Sequence, residues 1–468
     1  MPHTGVISDT EKQWMGHPRG LSTLFFTEMW ERFSYYGMRA LLILYMTAES
    51  LDGGLGFAVV KAGAIYALYT SCVYLASLPG GWIADNLTGH RRAVVLGGIM
   101  IAGGNFMLAV PGLVPFYIGL SVIAFGTGLL KPNVSTMVGQ LYSDDDPRRD
   151  SGFSIYYMGI NIGAFIAPLI CSAIGEKVNW HLAFATAGVG MIFGLIQFLY
   201  GTRYLGDAGR DPAPAKDQAD KQRRVRNFVL GIGTLAFVIA VIAVLKTTGI
   251  ANITAEGISD AFGVVLAIIA VVTFAWIFKV GHWTPTERNK IIVIVILFMC
   301  ASIFWGAFEQ AGSSLNLFAR DNTERDLFGW EFPAGYFQSL GAIFIVLFAP
   351  VFAWLWLYLN RRKKEPSSPS KFATGLLLVG MGFLVMVAAA YFSVKGGRVS
   401  PGWLFATYFL HTMGELSLSP VGLSTVTKLA PARVAGLMMG VWFLASAVGN
   451  YLGGRMAGLY ETLSLPTL

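Results

Sequence analysis

The sequence predicts an all-helical polytopic membrane protein, and three observations carry that prediction. Of 468 residues, 54% are hydrophobic and only 13% are charged, against about 25% charged in an ordinary soluble domain. The mean hydropathy of +0.58 is concentrated in apolar runs of about 20 residues, the length that crosses a hydrocarbon layer of ~30 Å. Residues 227–245 hold no charge at all. A barrel strand would be shorter and would alternate polar with apolar positions, so helices are left as the way to satisfy every backbone group in lipid.

Apolar, helix-periodic segments fall at 22–49, 57–84, 92–111, 115–140, 151–175 and 181–204, then at 227–246 and 260–279, and finally at 289–319, 334–359, 372–394, 402–428 and 433–460. This predicts thirteen helices. Several exceed 20 residues, and the Gly and Pro within them mark bends rather than ends. The first run contains four charges before Glu49 at its end, and residues 1–20 hold no apolar segment ending in a cleavage site, so the first helix is expected to be uncleaved. The longest polar connection, 206–226, combines Pro212 and Pro214 with a dense basic run and reads as a linker. The two helices after it carry no ionisable residue in their apolar stretches and read as an accessory hairpin facing lipid. The expected organisation is therefore a terminal segment (1–20), a six-helix bundle (21–205), the linker (206–226), the hairpin with its connection (227–288) and a second bundle of five helices (289–468). Two related bundles facing each other place a site near the midplane.

Orientation follows from the 34 Lys and Arg residues. With the amino terminus inside, 23 lie at cytoplasmic loops and helix ends and eight outside, as the positive-inside bias requires. The net charge of +7 thus reads as topology, and no nucleic-acid partner is implied. Cys72, Cys171 and Cys300 fall within predicted spans, so no disulfide framework is expected.

The remaining three cations, Arg32, Arg39 and Lys131, lie inside spans and need an account. In the first helix, FFTEMWERFSYYGMR places Glu28, Glu31, Arg32, Tyr35, Tyr36 and Arg39 on one arc of about 140° at 100° per residue. Four charges facing lipid would cost about 10 kcal/mol, so the stripe faces a wet or paired interior. Lys131 in the fourth helix, Glu309 in the ninth and Glu415 in the twelfth join it, making four acids against three bases. One carboxylate is then left without a fixed countercharge, and a protonatable site is expected. Cations from the first bundle (Arg39, Lys131) opposite anions from the second (Glu309, Glu415) suit a zwitterion such as a peptide. Tyr35, Tyr36, Tyr69, Trp305, Trp442 and Phe443 are candidates to line its side-chain pockets. His411, alone on an apolar helix, reads as a packing residue. Between the second and third helices, GGWIADNLTGHRR sets Asp85 beside Arg91 and Arg92, a candidate salt-bridge latch. No metal-ligand cluster and no Gly-rich phosphate loop followed by Lys and Ser or Thr appears. No cofactor is expected, and an ion gradient is the expected energy source.

EMWERFSYYG, the Asp85 to Arg92 loop, GLLKPN, FSIYYMGINIGAF, FEQ and GELSLSP together resemble the proton-dependent oligopeptide transporters of the major facilitator superfamily, bacterial type, over nearly the whole chain. The resemblance implies two six-helix bundles with an inserted hairpin, and symport of di- and tripeptides with protons by alternating access. It implies a multi-pass protein of the cell (inner) membrane with no enzymatic activity and no obligate protein partner. It gives proton coupling to Glu28, Glu31 and Arg32, and peptide contact to Tyr36, Arg39, Tyr69, Lys131, Asn161, Glu309, Glu415, Trp442 and Ser446. Three departures stand out: the chain stops at LSLPTL where a fourteenth helix is expected, the second helix has no His, and Gly341 occupies a position where many relatives carry an Asn. The alternative is a proton-coupled transporter of another small solute, such as nitrate, on the same fold.

Overall fold

The computed structural model describes residues 13–143, 145–249, 252–281, 283–431 and 434–468; the side chains of 419–421, 423–428, 435, 436 and 439 are not among those described. Most of the expected terminal segment, and Arg433, lie outside the described residues.

All thirteen predicted helices are present. The first six are α1 (Gly20–Thr47), α2 (Val59–Thr88), α3 (His90–Leu108), α4 (Leu113–Gln140), α5 (Arg149–Lys177) and α6 (Trp180–Gly201). The hairpin is α7 (Gln218–Thr247) and α8 (Ala255–Val280). The second bundle comprises α9 (Pro285–Asp321), α10 (Ala334–Arg361), α11 (Ser368–Gly396), α12 (Gly402–Leu429) and α13 (Ala435–Ala457). Among the described residues, nine of these are long and apolar enough to cross a membrane; α1, with its charged stripe, is not one of them. Two short hairpins complete the fold, β1 (Gln13–Trp14) with β2 (His17–Pro18) and β3 (Asp326–Leu327) with β4 (Trp330–Glu331), both antiparallel.

At α7 and α9 the helix start follows a side-chain cap rather than hydropathy. Thr284 and Glu287 form a reciprocal capping box with Pro285 in the first turn of α9, which satisfies amides the helix itself leaves free. Asp217 caps α7 by accepting from the Asp220 N–H, so the basic run from 218 that sequence reasoning placed in the linker is helical. Hydropathy marks the membrane segment of α7, and the cap marks its beginning. The α9 path also departs from expectation: it passes through a tight 3-10 turn at Glu309–Gly312 before resuming at Ser314.

In the first bundle α1 packs against α5 and α6, and α3 against α4; in the second, α11 packs against α12 and α9 against α13. Across the boundary α2 lies along α13 and α5 along α10. A Cβ added at Gly454 would stand 2.4 Å from Ala67 Cα, so the α2–α13 approach depends on a missing side chain. The end of the molecule carrying the linker and the opposite, far end are built differently. At the far end one apolar cluster spans both bundles, from Leu41 and Tyr45 on α1 to Leu315 and Phe318 on α9 and Phe337 on α10. Towards the linker end each bundle keeps its own cluster, around Val134 and Met137 in the first and Ile294 and Phe372 in the second.

The hairpin is asymmetric. No residue of the apolar window of α7 is buried, whereas α8 contacts both α2 and α13: Leu266 packs with Leu444 and Ala447, and Asp260 pairs with Arg455 at 2.8 Å.

Candidate functional site

The charged stripe of α1 turns inward at two levels. At the level nearer the linker end, Arg32 Nε lies 3.0 Å from Glu28 Oε1 and 2.5 Å from Glu31 Oε2, and the three residues are between 0% and 4% exposed. A single guanidinium is therefore shared by two carboxylates. Tyr156 on α5 donates to Glu28 Oε2 at 2.7 Å and Ser135 on α4 lies 3.2 Å from the same hydroxyl. Glu31 Oε1 has no hydrogen-bond partner among the described residues. In a dehydrated pocket two acids sharing one cation ionise together only at a cost, and a proton relieves it.

Lys131, half-buried on α4, completes this level: its ammonium stands 4.3 Å over the Tyr74 ring, within electrostatic reach of Glu31 and Arg32. Among the described residues no carboxylate lies within ion-pair distance of it. Lys131 is thus a cation held by an aromatic face, an arrangement that leaves its outward donors for an incoming anion.

Closer to the far end, Arg39 Nη2 meets Glu309 Oε2 at 2.6 Å, Arg39 Nη2 reaches the Glu309 carbonyl at 3.4 Å, and Arg39 Nε donates to Tyr66 at 2.8 Å. The 3-10 turn of α9 is what offers both the carboxylate and the carbonyl of Glu309 to one guanidinium. The sequence reading put Arg39 and Glu309 on opposite walls of an open field; the structure closes them on each other, so in this state they neutralise each other and the field survives only in Lys131 and Glu415.

Glu415 on α12 is 8% exposed, and its Oε2 has no hydrogen-bond partner among the described residues. It is the carboxylate in excess that the charge count anticipated. Tyr157 on α5 and Tyr36 on α1 lie within its electrostatic reach, which brings residues of both bundles around it. Asn161, one turn from Tyr157, spends its amide on the Tyr157 carbonyl at 2.9 Å. The buried Tyr69 hydroxyl and the Trp305 indole N–H are likewise without partners among the described residues. Trp442 packs in the apolar cluster of the second bundle, and Ser446 hydrogen-bonds the Trp442 carbonyl at 3.3 Å, so these two are engaged in the packing of α13. The His411 ring lies tilted against Phe383 and Phe308, with centroids at 5.0 and 6.5 Å.

The loop after α2 also differs from its expectation. Asp85 faces His90 at 3.4 Å rather than either arginine. Arg91 instead grips the linker, donating to the carbonyl of Ala208 at 2.8 Å and to that of Gly206, and Arg92 is exposed. Close packing of a glycine turn against linker carbonyls selects the arginine that can reach them, and the carboxylate takes the nearest imidazole.

Sequence reasoning missed the tyrosines that finish each charge group: Tyr66, Tyr74 and Tyr156. A signal existed, since Tyr66, Tyr69 and Tyr74 share about 140° of α2 at 100° per residue, the same arc width as the charged stripe they face.

A family model described as PTR2, POT family, matches residues 91–466. Over 461 residues the chain is 44% identical to the uncharacterised transporter YclF of Bacillus subtilis (strain 168), covering 98% of this chain and 91% of that one. It is 39% identical to the di-/tripeptide transporter of Lactococcus lactis subsp. lactis (strain IL1403), covering 97% and 92%. Its fold superimposes on the crystal structure of a peptide transporter POT in complex with sulfate with a TM-score of 0.90 at 42% identity, covering 97% of this chain and 92% of the other.

Proposed function

Because the chain belongs to the POT family, we propose that it imports di- and tripeptides together with protons by alternating access, with the linker end in the cytoplasm and the far end outside. The family is one of transporters, and the multi-pass helical fold is that of its solved members. The inner membrane of the cell, an N-terminus inside, the absence of cofactor and of enzymatic activity, and the proton as driving ion complete the proposal.

One observation carries it. Among the described residues Lys131 on α4 has no acid within ion-pair distance and Glu415 on α12 no cation, although both lie within electrostatic reach of Glu309. A peptide with a free carboxylate and a free ammonium supplies both missing partners at once, which a nitrate ion does not. The amine directed to Glu415 and the carboxylate to Lys131 leaves Tyr36, Tyr69, Asn161 and Trp305 near the chain between them. The Glu28, Glu31 and Arg32 group is the proposed proton carrier: protonation of a glutamate frees Arg32 to favour the remaining one.

The test is counterflow in proteoliposomes loaded with a dipeptide. The expected result is accumulation of labelled dipeptide that excess unlabelled di- and tripeptides abolish and nitrate leaves intact. Competition by nitrate, with none by peptides, would transfer the site to the alternative solute class.

A further inference from the structure

The central groups account for the α1 stripe, but a second, largely buried carboxylate crosses the bundle boundary away from them. Glu176 is the penultimate residue of α5, in the first bundle, and its side chain is 11% exposed. Its two oxygens accept from two successive backbone amides of the second bundle, Oε2 from Ala334 at 2.8 Å and Oε1 from Gly335 at 3.0 Å. These amides open the 3-10 turn with which α10 begins, so the carboxylate caps an N-terminus belonging to the other half of the molecule. Arg325 supports it from the loop before β3, with Nη1 at 3.7 Å from Glu176 Oε2. The same guanidinium fixes that loop, donating to the Phe332 carbonyl at 2.7 Å and to Glu331 at 2.9 Å. The approach is tight: a Cβ at Gly335 would stand 2.0 Å from Ser172 Oγ.

We infer that Glu176 is the positioning residue that latches the far end shut, its carboxylate holding the start of α10 until the two bundles part. The inference rests on the alternating-access reading. With the far end closed, the carboxylate and both amides are satisfied by one another away from water. With it open, all three return to water, so the latch stabilises one state selectively, and only such differential contacts shift a conformational equilibrium. Side-chain flexibility cannot substitute for it, because the acceptors must meet two adjacent amides on a rigid turn.

The test is read without peptide, so that it stands apart from the substrate assignment. Spin labels at the exposed positions Leu51 and Lys395, with the three native cysteines replaced, report the far-end separation in lipid nanodiscs. Glu176→Ala should raise the ratio of long to short distances at least about tenfold, a shift of about 1.4 kcal/mol, and Glu176→Gln, which keeps one acceptor, should fall between it and the parent. A lesion that merely loosens the fold would lower the melting temperature without changing this ratio. An unchanged ratio in folded Glu176→Ala overturns the latch. Should that variant not fold, Arg325→Gln must raise the same ratio, and failure to do so overturns it equally. A parent protein that binds no peptide would sink the transport reading while leaving the latch result intact.

Discussion

Arg39 on α1 and Glu309 on α9 meet at 2.6 Å across the boundary between the bundles. Both side chains are 6% exposed. An ion pair so far from water is held only when its geometry is good and its remaining polar atoms find partners, as Tyr66 provides here. The pair therefore ties closure of the bundles to the presence of two complementary charges.

Removal of either charge should be strongly destabilising, because the survivor is left buried and unpaired. Arg39→Met and Glu309→Met singly should each lose about 3 kcal/mol or more, while the double variant should recover most of that loss and remain unable to transport. Thermal unfolding of the three proteins in detergent checks this, and losses that simply add would show that the two residues do not act as a pair.

Glu31→Gln should abolish uphill uptake yet spare exchange down a peptide gradient. One proton crossing ~100 mV releases about 2.3 kcal/mol, enough for roughly fifty-fold accumulation of a neutral zwitterion. Concentrative uptake that survives in this variant would move the proton to another residue.

Lys131→Ala should weaken peptides with a free carboxylate by about tenfold or more while barely affecting their amides, since the lost contribution is an ion pair in a partly dehydrated site. Glu415→Gln should do the converse, penalising free-amine peptides over N-acetylated ones. Competition curves for the four ligand types decide the orientation, and equal losses for acid and amide would contradict it.

At the linker end, His17 hydrogen-bonds Tyr142 at 3.0 Å and its ring sits edge-on to that tyrosine at 6.0 Å. Burial, and after it the Arg148 cation, hold the imidazole pKa below its ordinary value, while Asp146 opposes them. Asp146 is itself kept ionised by hydrogen bonds from Arg148. The docked form thus takes up a proton less readily than the free one. Its stabilising contribution is complete above about pH 6.5 and is lost as pH falls through the lowered value. A spin label at Met15 should accordingly become more mobile between pH 7.5 and 5.5 in the parent, and show no such pH dependence in His17→Asn.

The helices and the charged stripe were legible because both are written within one segment: hydropathy is summed over consecutive residues, and the arc of Glu28, Glu31, Arg32 and Arg39 needs only the period of one helix. The partners were not legible. Whether Asp85 finds Arg91 or His90, and whether Arg39 faces solvent or Glu309, is decided by how two helices approach, and no single-helix pattern contains that distance. The count of four acids against three bases did survive the step, because charge balance holds whatever the packing; it named the excess without naming Glu415. Glu176 was invisible for a further reason, since its hydrogen-bond donors are backbone amides and carry no residue identity.

The bareness of α7 has a practical consequence. With no residue of its apolar window buried by protein, the membrane segment of this helix offers its connection to α8 as a site where a rigid soluble module could be grafted with little disturbance of either bundle. A chain of 50.7 kDa offers image alignment little mass outside the detergent belt. A grafted module there would supply an orientation marker on the far face while the two bundles stay free to move.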